Sequence, residues 1–247
     1  MGKRHKVKFG RSRKKIKLDN IMRIALKNKD LGNRHFVKQY NMSIALKDKF
    51  KKNLIMYERL YGRDDFRTEL ISIPFNSIVM QIFQFKANVY TYYNHKWWKE
   101  VNIPKHARNG FTRRMENSIY FLNFIHFLSF VESCLRKLII IFRQGECNNG
   151  KSDFYCIYDK ILTDLNLSEY KAVFSFAKEV RNSIHNNGFY RPIRSDQDQI
   201  MEFNGNEYTF RHNEPIDFFT PEMAVEIEDL IMECLVKIVE HDEIKKL

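Results

Sequence analysis

The segment from Thr112 to Phe142 constrains this chain most. Tyr120, Phe124, Phe127, Val131, Leu135, Leu138 and Phe142 recur at the three- and four-residue intervals of a single helix face. Leu122, Ile125, Phe130 and Ile139 to Ile141 fill the remaining sides, so the predicted helix is apolar almost all round. A helix of that kind persists in water only when neighbours cover it from several directions. The expectation is a mainly α, bundle-like protein in which this helix is the centre of the core, between a helix ending near Ile184 and a final one after Pro221. The uncharged run within the segment, Asn117 to Val131, is 15 residues, short of the ~20 that a membrane span needs.

Helical spacing recurs on both sides of it. Ile44, Leu46, Phe50, Leu54, Tyr57 and Leu60, with lysines between them, predict a basic amphipathic helix from Ser43 to about Tyr61. Ile78, Ile82, Phe85, Val89 and Tyr92 predict another, with Pro74 in its first turn and its end near Asn94. The Trp97-Trp98 pair that follows reads as core or subunit contact in preference to a base-stacking platform. Pro104 to Gly110 is a break, and Gln144 to Ser152, with Asn148-Asn149-Gly150, is a loop. A short helix over 153–165 precedes one that Ser168 caps and Gly188 stops. Ile200 to Phe203 and Tyr208 to Phe210 flank Asn204-Gly205-Asn206-Glu207, the signal of a hairpin near 199–213. Thr220-Pro221 then opens a helix with Met223, Ile227, Leu230, Ile231, Cys234, Leu235 and Ile238 on its apolar face. With 9 Gly and 5 Pro in 247 residues, a turn-rich all-β sandwich is a poor fit.

Charge is regional. Residues 1–63 hold 20 Lys and Arg against 4 Asp and Glu, while the rest of the chain holds 22 against 26. The densest part is residues 1–20, with Lys3, Arg4, Lys6, Lys8, Arg11, Arg13, Lys14, Lys15 and Lys17. A cationic arm on a weakly acidic body is the electrostatic footprint of a protein that meets a polyanion; a solvated leader has the same composition. Phe9, Phe36, Tyr40 and Tyr57 are interspersed in the basic region as candidate base contacts. A membrane surface ranks last as the partner, since only the helix at 43–61 supports it. No apolar run of signal-peptide kind follows the N-terminal charges, and the expected location is cytoplasmic. Cys134, Cys147, Cys156 and Cys234 form no Cys-x-x-Cys pair, so free thiols are expected and no metal site.

One short stretch, Glu179 to Gly188, carries residue types suited to chemistry on a phosphodiester. Arg181 and His185 are four apart and share a helix face, beside the core stripe of Val173, Ala177, Val180 and Ile184. Arginine is a permanent planar donor for phosphate oxygens, and histidine exchanges a proton near neutral pH. The bland alternative is that cations favour the last turn of any helix, with Asn186-Asn187-Gly188 as an ordinary stop.

The motif RNSIHNNG at 181–188 resembles the signature of HEPN domains (higher eukaryotes and prokaryotes nucleotide-binding), most closely that of HEPN-like proteins in bacterial defence and toxin systems. The order of elements over about 112–245 is similar too: an aromatic-rich helix with Glu132, the motif helix, a hairpin and a closing helix. The interval between Arg181 and His185 is shorter than the family's usual one. Charge, aromatic content and this resemblance together divide the chain into a basic N-terminal arm and helix (1–63), an aromatic-rich helical connector (64–111) and a HEPN-like helical domain (112–247).

What it implies is a metal-independent endoribonuclease without cofactor, a homodimer whose two motif helices face each other across one composite RNA site. An antitoxin or defence-system partner belongs to the same picture. Carried onto this chain, His185 is the general base or acid, Arg181 holds the scissile phosphate, and Asn182 orients one of them. Glu132 and Asn186 are supporting candidates, Glu132 as a partner for Arg181 across the helix pair. A non-catalytic dimerisation or RNA/nucleotide-binding module is the alternative.

Overall fold

The computed structural model describes residues 34–93, 95–192 and 196–247. The nine basic candidates of residues 1–20, and Phe9, lie outside them. The chain is mainly helical with one small hairpin. In chain order the elements are α1 (Arg34–Tyr61), α2 (Phe66–Tyr93), α3 (His95–Glu100), α4 (Arg108–Phe142), α5 (Phe154–Asp164), α6 (Lys171–His185), β1 (Gln199–Phe203), β2 (Asn206–Phe210), α7 (Pro221–Glu240) and α8 (Asp242–Lys245).

Helix α4 is central, as its all-round apolarity requires: Phe124, Phe127, Val131, Leu135 and Leu138 are wholly or almost wholly buried. Its main neighbour is α2, with α5, α6 and α7 on other sides. The sandwich expected between α6 and α7 alone therefore omits its largest contact. Helices α2 and α4 run antiparallel, since Glu69 meets Lys137 at one end and Tyr92 Oη donates to Asn109 Oδ1 at 3.0 Å at the other. One face of α4 stays uncovered, with Leu122, Phe130, Ile140 and Ile141 exposed.

Helix α1 lies parallel to α7. Lys38 faces Glu222 at 3.7 Å, Lys49 bonds Asp229 and Glu233 at 2.6 Å each, and Tyr57 Oη donates to Glu240 at 2.9 Å. Tyr40 and Tyr57 are buried, so they pack the core and are not the RNA-facing aromatics their spacing among lysines suggested. One buried cluster runs from Tyr40 to Ile244.

Several boundaries differ from the sequence reading. Helix α2 begins at Phe66 and Pro74 lies inside it; the cap is Asp65, whose carboxylate accepts the Arg67 backbone N–H at 2.8 Å. Gly110 is inside α4, because a 3-10 turn at Lys105–Ala107, led by Pro104, feeds straight into the helix. Ser168 opens a 3-10 turn and caps nothing with its side chain. Trp98 is core: it is buried, donates Nε1–H to the Tyr92 carbonyl at 2.8 Å and meets Phe111 edge-on.

Three local readings hold. Thr220 caps α7 by accepting the Met223 N–H at 3.2 Å. The hairpin closes through Asn204-Gly205, both at positive φ, which fits a type I′ turn. The end of α6 closes by Asn187 N–H to Ile184 and Gly188 N–H to Ser183 carbonyls, with Asn187 taking the left-handed position. Cys147 and Cys156 are joined by a disulfide, contrary to the expectation of free thiols; Cys134 and Cys234 are free and buried. Among the described residues no helix is long and apolar enough to cross a membrane.

Candidate active site

The expected partners do meet across α4 and α6. Arg181 donates Nη1–H to Glu132 Oε2. The other carboxylate oxygen belongs to Arg136, one turn along α4, whose Nε donates to Glu132 Oε1 at 3.0 Å. Each oxygen of Glu132 thus serves a different arginine. Burial works against the carboxylate, but the two guanidiniums outweigh it and hold the Glu132 carboxyl below its ordinary value.

Arg136 is itself anchored. Its Nη1 donates to the carbonyls of Gly150 at 2.6 Å and Ser152 at 2.7 Å, in the loop between α4 and α5. The residue after that loop's cap, Phe154, places its ring 5.7 Å from the Arg181 guanidinium carbon. Between Phe154 and Glu132 the Arg181 side chain is only 16% exposed. Its Nε is buried with no hydrogen-bond partner, and Glu132 is its only hydrogen-bond acceptor among the described residues.

His185 is the last residue of α6 and is exposed. It is one helical turn beyond Arg181, so their β-carbons are neighbours on one face. Asn182 and Asn186 are half-buried on the same last turn, and the Asn182 carbonyl accepts the Asn186 N–H at 3.1 Å. Neither Asn side chain, nor the His185 ring, has a hydrogen-bond partner among the described residues, so nothing there sets the imidazole tautomer. The site therefore pairs a fixed, shielded guanidinium with an exposed imidazole at a helix C-terminus.

Sequence reasoning missed Arg136, the Gly150 and Ser152 carbonyls and Phe154. The first had a visible signal, since Glu132 and Arg136 are four apart on one helix; backbone acceptors and a ring supplied by a loop have none. Among the described residues no group of three or more His, Cys, Asp or Glu is placed to hold a metal ion. No protein-family model, curated protein or solved structure matches the chain.

Proposed function

We propose that the chain is a metal-independent endoribonuclease of HEPN type, active as a homodimer in a bacterial defence or toxin setting. The observation that carries the reading is Arg181, fixed by Glu132 one turn before an exposed His185. In the proposed reaction one His185 removes the proton from the ribose 2′-hydroxyl, and its oxygen attacks the adjacent phosphorus. Arg181 stabilises the charge on the phosphorane. A second His185, from the other copy, protonates the departing 5′-oxygen, leaving a 2′,3′-cyclic phosphate and a 5′-hydroxyl.

The second reading is a non-catalytic RNA-binding and dimerisation module. It is favoured by the engagement of Arg181 with Glu132 and by its small exposed area. Cleavage of a 5′-labelled RNA by the purified full chain in EDTA separates the two. The expected outcome is cleavage that a 2′-deoxy nucleotide at the scissile position blocks and that His185→Ala slows by about 10²- to 10⁴-fold, the usual effect of losing a general acid-base group. His185→Ala cleaving as fast as wild type overturns the mechanism. RNA binding by a dimer that never cleaves establishes the module.

A further inference from the structure

The loop from Cys147 to Cys156 is the only covalently closed segment among the described residues, and it grips the residue that grips the site. Four successive residues in it, Cys147, Asn148, Asn149 and Gly150, have φ of 45°, 47°, 52° and 78°. This is a left-handed turn, a conformation that L-residues enter at a cost and that Asn and Gly tolerate best. The loop is also pressed against α4: a Cβ on Gly150 would lie 3.1 Å from the Arg136 carbonyl oxygen and 3.2 Å from the Ile140 side chain. Strained turns of this kind persist only where their surroundings hold them. Here the holding elements include the bridge, the Ser152 N–H to the Cys147 carbonyl at 3.2 Å and the two carbonyl contacts to Arg136, beside local bonds such as Gly145 N–H to Asn149 Oδ1 at 2.9 Å.

We propose that Arg136 is a positioning residue for Arg181, acting through Glu132, and that the bridged 147–156 loop makes this positioning depend on the redox state of Cys147 and Cys156. The chain of contacts is continuous: bridge, left-handed turn, Gly150 and Ser152 carbonyls, Arg136, Glu132, Arg181. The reductant is a dithiol. One of its thiolates attacks the sulfur of Cys156, the less buried of the two residues, the S–S bond breaks and the buried Cys147 leaves as thiolate. The second thiol then displaces Cys156, so two electrons pass to the bridge, the dithiol closes to its own disulfide and both cysteines take up protons. With the bridge open the left-handed turn relaxes, its carbonyls leave Arg136, and Glu132 no longer has both oxygens fixed. Cys134 and Cys234 do not compete for the bridge, since burial pushes the Cys134 thiol up to about 12 and raises that of Cys234 as well.

The catalytic consequence rests on the ribonuclease reading above, while the latch itself is measurable without it. Full-length protein labelled with ¹⁵N-arginine is compared by NMR before and after dithiothreitol, reading solvent exchange of the Arg136 and Arg181 guanidinium protons. Reduction is expected to speed both by about tenfold or more, as local opening does, while protons of the buried core of α4 keep their rates. Cys147→Ser with Cys156→Ser is expected to show the fast exchange without reductant. Gly150→Ala, which keeps both cysteines, is expected to do the same by pushing the loop off α4. Arg136→Lys keeps the charge but loses the fork that joins Glu132 to two carbonyls, so Arg181 exchanges quickly and dithiothreitol changes nothing further. In cleavage assays reduction is expected to lower kcat on the order of ten- to a hundredfold with KM held, the signature of misplacement. Equal exchange in the oxidised and reduced protein, or cleavage indifferent to the dithiol, overturns the proposal. A wild-type protein that loosens at Arg181 on reduction but cleaves no RNA supports the latch and counts against the ribonuclease reading.

Discussion

Two carboxylates on helices of the same core, Glu132 half-buried and Glu228 buried, have opposite fates, decided by what faces them. Glu132 is flanked by Arg136 and Arg181 and is held ionised against the cost of burial. Glu228, wholly enclosed on α7, has an Oε2 with no hydrogen-bond partner, and burial pushes its carboxyl up to about 8. In the unfolded chain that carboxyl ionises near 4.5. Between the two values the folded state holds a proton that the unfolded state has lost, so stability is retained below about 4.5 and falls as pH rises towards 8. Glu228→Gln keeps the shape and removes the titration. Urea unfolding of the variant should lose this pH dependence and show it more stable than wild type at pH 8 by roughly 1–3 kcal/mol. Parallel pH profiles for the two proteins would mean that Glu228 is ionised in the fold. Glu132 has the reverse sign: its contribution is present above its ordinary value of 4.5 and is lost as pH falls through the depressed one.

At the scale of elements, legibility followed the chemistry of the ends. Thr220-Pro221 and Asn204-Gly205 are local devices, in which a hydroxyl reaches an N–H three residues on and two residues adopt positive φ, and both behave as their sequences indicate. Pro74 and Gly110 misled because each is tolerated inside a helix once tertiary packing supports it. Glu132 came forward as a partner for Arg181 only through the family resemblance, because a lone glutamate on an apolar helix reads equally as a solvated charge. The Cys147–Cys156 bridge was not legible, because its nine-residue spacing matches no motif and the turn that brings the sulfurs together depends on left-handed backbone at three non-glycine positions. The cap on α7 gives a direct check of how much a local device contributes. Thr220→Ala removes the side-chain acceptor of the Met223 N–H and should cost about 1 kcal/mol, seen as a lower urea midpoint with an unchanged slope. A loss much above 2 kcal/mol would point to packing by Thr220 in addition to the cap.

For the molecule as a whole, the question is where the excess positive charge acts. Within residues 34–63 part of it is already engaged: Lys38 and Lys49 face Glu222, Asp229 and Glu233, and so bind α1 to α7. That neutralisation joins two parallel helices of one core and leaves less charge there for a polyanion. The nine Lys and Arg of residues 1–20 meet only one acidic residue in their own stretch, Asp19, and they account for half the surplus of the basic region. If RNA is the partner, phosphate contacts by this arm release counterions, and each contact contributes about 0.7 to 0.9 to the slope of log affinity against log salt. Deleting residues 1–20 should therefore weaken RNA binding and flatten that slope by several such increments, while the thermal unfolding of the helical core is unchanged. Lys49→Ala should do the converse, lowering core stability at the α1–α7 contact with little effect on the slope. Fluorescence anisotropy of a labelled RNA across a salt series, run on wild type and both variants, separates the two roles. An arm deletion that leaves the slope intact would place the phosphate contacts on the body of the protein and assign the arm another task.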